Sequence, residues 1–173
     1  MRVLGIDCGT QLTGYGVVET DAAGGLHAVT SGAIRLNKQD PMPHRLGQVY
    51  ARLTAMMVQY QPGVVAIEEV FHAVNSRTAL LLGQVRGVAL LAADTCKLEI
   101  AEYAPLAVKS AVTGYGLADK KQVQFMVMRL LELVLPPEPL DASDALAIAI
   151  CHIHHAQTTV AQCRKPGRGK DTK

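Results

Sequence analysis

The sequence predicts an α/β domain built on a five-stranded mixed sheet flanked by helices. Three observations carry that expectation. Two short apolar runs that end in an acid, Val3 to Asp7 and Val64 to Glu68, read as buried strands. Leu46, Val49, Leu53 and Met56 repeat at helical spacing between them. The early strands follow one another through short turns, whereas each later strand follows a helix. Right-handed crossovers should then set the later strands parallel to the first.

Each element has its own signal. After the strand ending at Asp7, Gly9-Thr10 marks a turn and Thr13 to Val18 reads as a second strand. Gly24-Gly25 marks another turn before a third strand, Leu26 to Arg35. A helix follows from Pro43 to Tyr60 and is stopped by Pro62-Gly63. Asn75 or Ser76 caps a helix running to about Cys96. Glu99 to Tyr103 is a fifth strand. Helices are expected at 105–113, 119–135 and 141–158, with Phe125 as a core residue on the second. The domain is therefore expected over 1–158, followed by a basic, disordered tail, 159–173.

Composition limits the function classes. At 173 residues, 49% hydrophobic and 18% charged, the chain suits one globular domain. The net charge of +2 hides an asymmetry. Arg164 to Lys173 hold five basic residues and one acid, so the rest carries twelve basic against fourteen acidic residues. Nucleic acid would have to be met by a local patch. Four cysteines without CxxC spacing give no zinc or disulfide framework. No signal peptide or membrane span is read, so a cytoplasmic location is expected.

Four acids carry the chemistry. Asp7 and Glu68 each end an apolar strand, where an isolated carboxylate is costly unless paired or bound to a cation. On adjacent parallel strands they would emerge at one edge, the usual ligand edge of such sheets. Asp141 and Asp144, spaced i, i+3, open an almost wholly apolar helix that should lie on the sheet. Read alone, that pair could equally be ordinary helix-start acids. Four converging carboxylates call for hard divalent cations, Mg²⁺ or Mn²⁺ and not zinc. Two such ions roughly 3.5–4 Å apart can drive phosphoryl transfer, with Asp7 bridging them. Glu69 sits beside Glu68, and periodicity alone does not choose between them. His152, His154 and His155 read as surface or partly buried. His155 lies about 16 Å along the helix from Asp144, too far for a shared metal.

These residues stand in stretches that resemble the RuvC family of bacterial Holliday junction resolvases. The stretches are Gly5-Ile-Asp-Cys-Gly-Thr10, Thr13-Gly-Tyr-Gly16, Ala66-Ile-Glu-Glu-Val-Phe71, Leu82-Gly-Gln-Val-Arg-Gly87 and Asp141-Ala-Ser-Asp-Ala-Leu-Ala-Ile-Ala149. Only the last is specific alone; together they span residues 1 to about 155. The resemblance implies a ribonuclease H-like fold, a homodimer and paired symmetric nicks in four-way junction DNA. It implies two Mg²⁺ ions per site, with Mn²⁺ able to substitute, and cooperation with RuvA and RuvB. By position, Asp7, Glu68, Asp141 and Asp144 match the family's metal-binding acids, which selects Glu68 over Glu69. The family's usual Pro after the first Asp is here Cys8, which we expect to point into the core.

The same resemblance makes Phe71 the aromatic that probes bases at the junction centre, and Lys109 and Lys120 phosphate-contacting residues. Arg77 and Arg86 are further DNA-contact candidates nearby. Ala79, Gly83, Gly87 and Leu90-Leu91 are the candidate dimer face, with internal packing on the sheet as its alternative. Two rival functions remain at this point. The Asp7-Cys-Gly-Thr10 and Thr13-Gly-Tyr-Gly16 stretches also resemble the phosphate loop of sugar kinases and actin-like ATPases, though the chain is short for their second domain. The other rival is a junction-binding module without catalysis.

Overall fold

The computed structural model describes residues 1–69 and 75–163. The chain opens with an antiparallel meander of β1 (Arg2–Asp7), β2 (Leu12–Thr20) and β3 (Leu26–Arg35). It continues through α1 (Met42–Tyr60), β4 (Val64–Glu68), α2 (Ser76–Thr95) and β5 (Glu99–Tyr103). It closes with α3 (Pro105–Thr113), α4 (Lys120–Leu130) and α5 (Leu140–Cys163). The strand order is β3-β2-β1-β4-β5, with β4 parallel to β1 and β5 parallel to β4. The five-stranded mixed sheet is therefore as expected, with β1 at its centre.

Helices cover both faces, which is why β1 after Arg2, and β4 throughout, are apolar up to their acids. Val3, Val18, Val64 and Ala66 pack toward α3, α4 and α5. Leu4, Ile6, Val17, Val65 and Ile67 pack on the other face with α1 and α2. The local signals are physical ones. The Asn75 side chain accepts a hydrogen bond from the Thr78 amide at 2.9 Å and starts α2. Gln61, at φ 46, turns the chain out of α1 just before Pro62. Asp119 and Gln122 form a capping box at the start of α4.

Three glycines set the distance between α5 and the sheet. A Cβ on Gly5 would fall on the Ala145 carbonyl oxygen, and one on Gly14 would fall on that of Asp141. At Gly16 it would come within 2.8 Å of Leu146. Ala142, Ala145 and Ala149 answer with small side chains, all fully buried. The Thr13-Gly-Tyr-Gly16 stretch thus has a packing reason for its glycines, and needs no phosphate loop to explain them.

Three expectations are corrected. First, α4 ends at Leu130 instead of near residue 135. Glu132 takes φ 53, and the Leu133 amide donates back to the Met128 carbonyl at 2.9 Å, folding Leu133 onto the core. Second, α5 runs to Cys163, past the expected end at 158. Thr158 and Thr159 lie within it, their hydroxyls donating to the carbonyls of His154 and His155. Third, Phe125 is 61% exposed, not in the core. Val123 and Val127 form the buried stripe of α4, and Phe125 lies two residues from each, on the opposite side.

Candidate active site

Alternation along the strands aims the acids. On β1, Val3 and Gly5 face α5, so Asp7 does too. On β4, Val64 and Ala66 face the same way, and therefore so does Glu68, while Glu69 falls on the other side. Ile6 and Ile67 are register partners, which sets Asp7 and Glu68 side by side at one edge. α5 lies across this face with its first turn over that edge, bringing Asp141 and Asp144 to it.

A cavity of about 170 Å³ opens there, lined by Asp7, Glu68, Asp144, Lys109 and Lys120 over a floor that includes Val108, Val123 and Ala147. Asp141 does not line it, though its charge still reaches Asp7 and Lys120. Lys120 donates to Asp144 Oδ2 at 2.6 Å, so the lysine at this helix start has an acid partner. Among the described residues, no three ligating side chains already close on a common point. Asp7, Glu68 and Asp144 crowd like charges around one small cavity.

The electrostatics record that crowding. Asp7 is pushed up to about 7, first by burial, then by the charges of Asp144 and Glu68. Lys120 opposes the shift and Asp141 adds to it. Glu68 is also raised, by burial and then Asp144, against Lys120 and Lys109. Burial works against the charge on Lys120, but the hydrogen bond and charge of Asp144, with Asp7 and Asp141, hold its pKa above the usual lysine value. Such a site favours any added positive charge.

A stability prediction follows with a definite sign. The folded pKa of Asp7 lies above its ordinary value of 3.8, so the folded chain retains a proton that the unfolded chain releases between about pH 4 and 7. Stability from that proton is complete below this window and is lost as pH rises through 7. His152 works the other way, since burial lowers its pKa. The comparison is therefore made against Asp7→Asn. Without metal, the wild type should lose roughly 2–4 kcal/mol relative to that variant between pH 4.5 and 8. Parallel pH profiles of the two proteins in thermal unfolding with EDTA would contradict it.

The other candidates separate. Phe71 lies outside the described residues. Arg77 is exposed in the first turn of α2. Arg86 points away from solvent and pairs with Glu102 on β5, so it ties α2 to the sheet instead of standing free for DNA. That partner comes from a distant strand and has no local signal. Cys8 packs on the face opposite Asp7, against the α1–α2 core, and its thiol is pushed up to about 12, by burial first and Asp7 second. Its inward direction is as expected, and a thiol shifted this way carries little of the reactive thiolate at neutral pH. His152 shares a 2.9 Å hydrogen bond with the Tyr103 hydroxyl, and His154 Nδ1 donates to the Ala111 carbonyl. Neither joins the acids. Phe125 and Tyr115, both exposed near α4, were missed as surface features, because nothing in their spacing marks them.

Comparison with known proteins agrees with this geometry. The family "Crossover junction endodeoxyribonuclease RuvC" matches residues 3–152. A protein of that description from Acidobacterium capsulatum is 58% identical over 168 residues, covering 94% of this chain and 98% of its own. One from Koribacter versatilis is 55% identical over 158 residues, covering 91% and 95%. The solved structure of Thermus thermophilus RuvC in complex with Holliday junction substrate superposes with a TM-score of 0.84 at 31% identity, over 91% of this chain and 96% of that one. The five-stranded sheet and its helices are thus the ribonuclease H-like fold of these nucleases. With a family match over most of its length, the chain belongs to the RuvC family of crossover junction endodeoxyribonucleases, and it is a structure-specific DNA endonuclease.

Proposed function

We propose that the chain resolves four-way DNA junctions by paired symmetric nicks, using divalent metal held by Asp7, Glu68, Asp141 and Asp144. The observation that carries the reading is the cavity in which Asp7, Glu68 and Asp144 face Lys109 and Lys120. The donor set fits the group: carboxylate oxygens only, with Asp7 held near 7 by burial first and by its acidic neighbours second. Two Mg²⁺ ions, or Mn²⁺ in their place, would supply a hydroxide nucleophile and charge stabilisation of the leaving 3′-oxygen. Asp7, whose charge feels both Asp144 and Glu68, is the acid that would serve both ions. Lys109 and Lys120 carry the cationic charge that meets the scissile phosphate. The apolar floor of Val108, Val123 and Ala147 keeps bulk water from the acids and strengthens each of these interactions.

Two like nicks in one junction call for two copies of this site, and we assign the homodimer face to α2. Its inner side buries Val85, Ala89 and Ala92, while Leu80 (71%) and Leu91 (56%) stay exposed. Gly83 and Gly87 lie between them with open space where a side chain would stand. Ala79 shares that exposed side; Leu90 instead packs inward. Cooperation with RuvA and RuvB belongs to the same proposal. Among the described residues no helix is long and apolar enough to cross a membrane.

The test is cleavage of a synthetic four-way junction beside linear duplex of the same sequence, with Mg²⁺ and with EDTA, paired with sedimentation at the same concentration. Paired nicks in the junction alone, by a dimer, and only with Mg²⁺, are expected. Equal cutting of both substrates would reduce the reading to a general nuclease. A monomer that still makes paired nicks would remove the dimer face.

A further inference from the structure

We propose that the chain carries a second DNA-contacting site, a cleft between Tyr115 and Phe125 that takes an unstacked nucleobase of the bound DNA. It rests on the reading that this protein handles junction DNA, but it concerns a different part of the surface from the four acids. The cleft, about 440 Å³, is lined by Thr113, Tyr115, Ala118, Lys121, Gln122 and Phe125 among others. The first turn of α4 separates it from the catalytic cavity: Lys120 lines one, and Lys121 the other.

Two aromatic side chains stand in solvent here. Phe125 is 61% exposed and Tyr115 59%, in a chain with only two Phe and five Tyr. Neither is needed to fill the core, since Val123 and Val127 do that for α4. Water contact at a phenyl ring is a standing cost that a stacked base would remove.

The surrounding charge selects the ligand class. Residues 105–130 hold four cations, Lys109, Lys120, Lys121 and Arg129, and one acid, Asp119. That acid is engaged in capping α4 through the Gln122 amide at 2.9 Å. Lys121 is exposed and, among the described residues, makes no ion pair. Gln122 uses its side-chain oxygen to accept from the Asp119 amide, which leaves its NH₂ to donate outward. Aromatic faces, a phosphate-directed lysine and an amide donor are the parts of a nucleotide subsite. Lys121 is the one cation that lines the cleft, and an apolar protein partner would have no use for its charge there. The cleft lies beside the cavity, since Lys120 lines one and the adjacent Lys121 the other.

The test separates stacking from mere apolar contact. In an Asp7→Asn background that prevents cutting, affinity is measured for a short oligothymidylate and for a synthetic four-way junction. Phe125→Leu keeps the apolar bulk but removes the ring, and should weaken oligothymidylate binding about five-fold or more, with Tyr115→Leu acting in the same direction. Phe125→Trp should bind as well as the parent or better. Because both side chains are exposed, the variants should melt with the parent, which circular dichroism checks. Parent-like affinity in Phe125→Leu overturns the proposal, as does an equal loss in the Leu and Trp variants, which would mark an apolar docking surface for protein. The oligothymidylate arm needs no junction. A parent that fails to prefer the junction over duplex therefore counts against the functional reading, and the cleft is still judged by the Leu and Trp variants.

Discussion

Asp7→Asn should abolish cleavage, by at least ~10³-fold, while leaving the junction bound with its normal affinity. The substitution keeps shape and removes one charge from the centre of the cavity, where Asp7 feels Asp144, Glu68, Lys120 and Asp141 together. An amide cannot bridge cations as a carboxylate does. Binding survives because the lysines on the cavity wall, Lys109 and Lys120, are untouched. The variant should also be more stable than the wild type at neutral pH without metal, since a crowded carboxylate has gone. Single-turnover cleavage in Mg²⁺ and a gel-shift titration in EDTA measure the two halves separately. Nicking at the wild-type rate would remove Asp7 from the chemistry. Lost binding with lost nicking would mean that the change had damaged the surface at large.

Gly14→Ala should cost about 10²-fold in cleavage while the domain remains folded. The added methyl would occupy the place of the Asp141 carbonyl oxygen, so α5 must lift at its first turn. A shift of ~1 Å in a catalytic group can cost this much without any change in its identity. The overpacking itself should destabilise by about 1–3 kcal/mol. Gly5 is the harsher position, because its methyl would meet both the Ala145 carbonyl and the Ala149 amide in the middle of the helix. The distinguishing readout for Gly14→Ala is a large rate loss beside a small drop in melting temperature. Full activity would show that α5 tolerates displacement, and that Asp141 and Asp144 need no such close seat.

Legibility in the sequence followed the range of the forces involved. The sheet and the pairing of Asp7 with Glu68 were readable because apolar runs, turns and crossover handedness are local or general rules. The choice of Glu68 over Glu69 was not, since β4 is buried on both faces and its apolar residues carry no phase. It becomes decidable once Ala66 is known to face α5. Phe125 was misplaced because Val123, Phe125, Met126, Val127 and Met128 put apolar atoms all round α4, so spacing could not name the buried stripe. The ion pair of Arg86 was not legible because Glu102, its partner, comes from a strand that only the fold brings near. Cys8 could be placed from the alternation that aims Asp7, since neighbours on a strand point apart.

The seating of α5 on β1 has a consequence for how a cell can afford to make such a protein. The first acid is in the first strand and the last pair opens the final helix, so of the four acids a growing chain holds only Asp7 and Glu68 until synthesis reaches residue 141. Until α5 docks, the sheet face beneath Gly5 and Gly14 is bare and the acids have no lid. An unfinished or partly melted molecule would then lack the full set of acids at the cavity. On the proposed function, cutting would wait for α5 to dock, and assembly itself would be the safety catch.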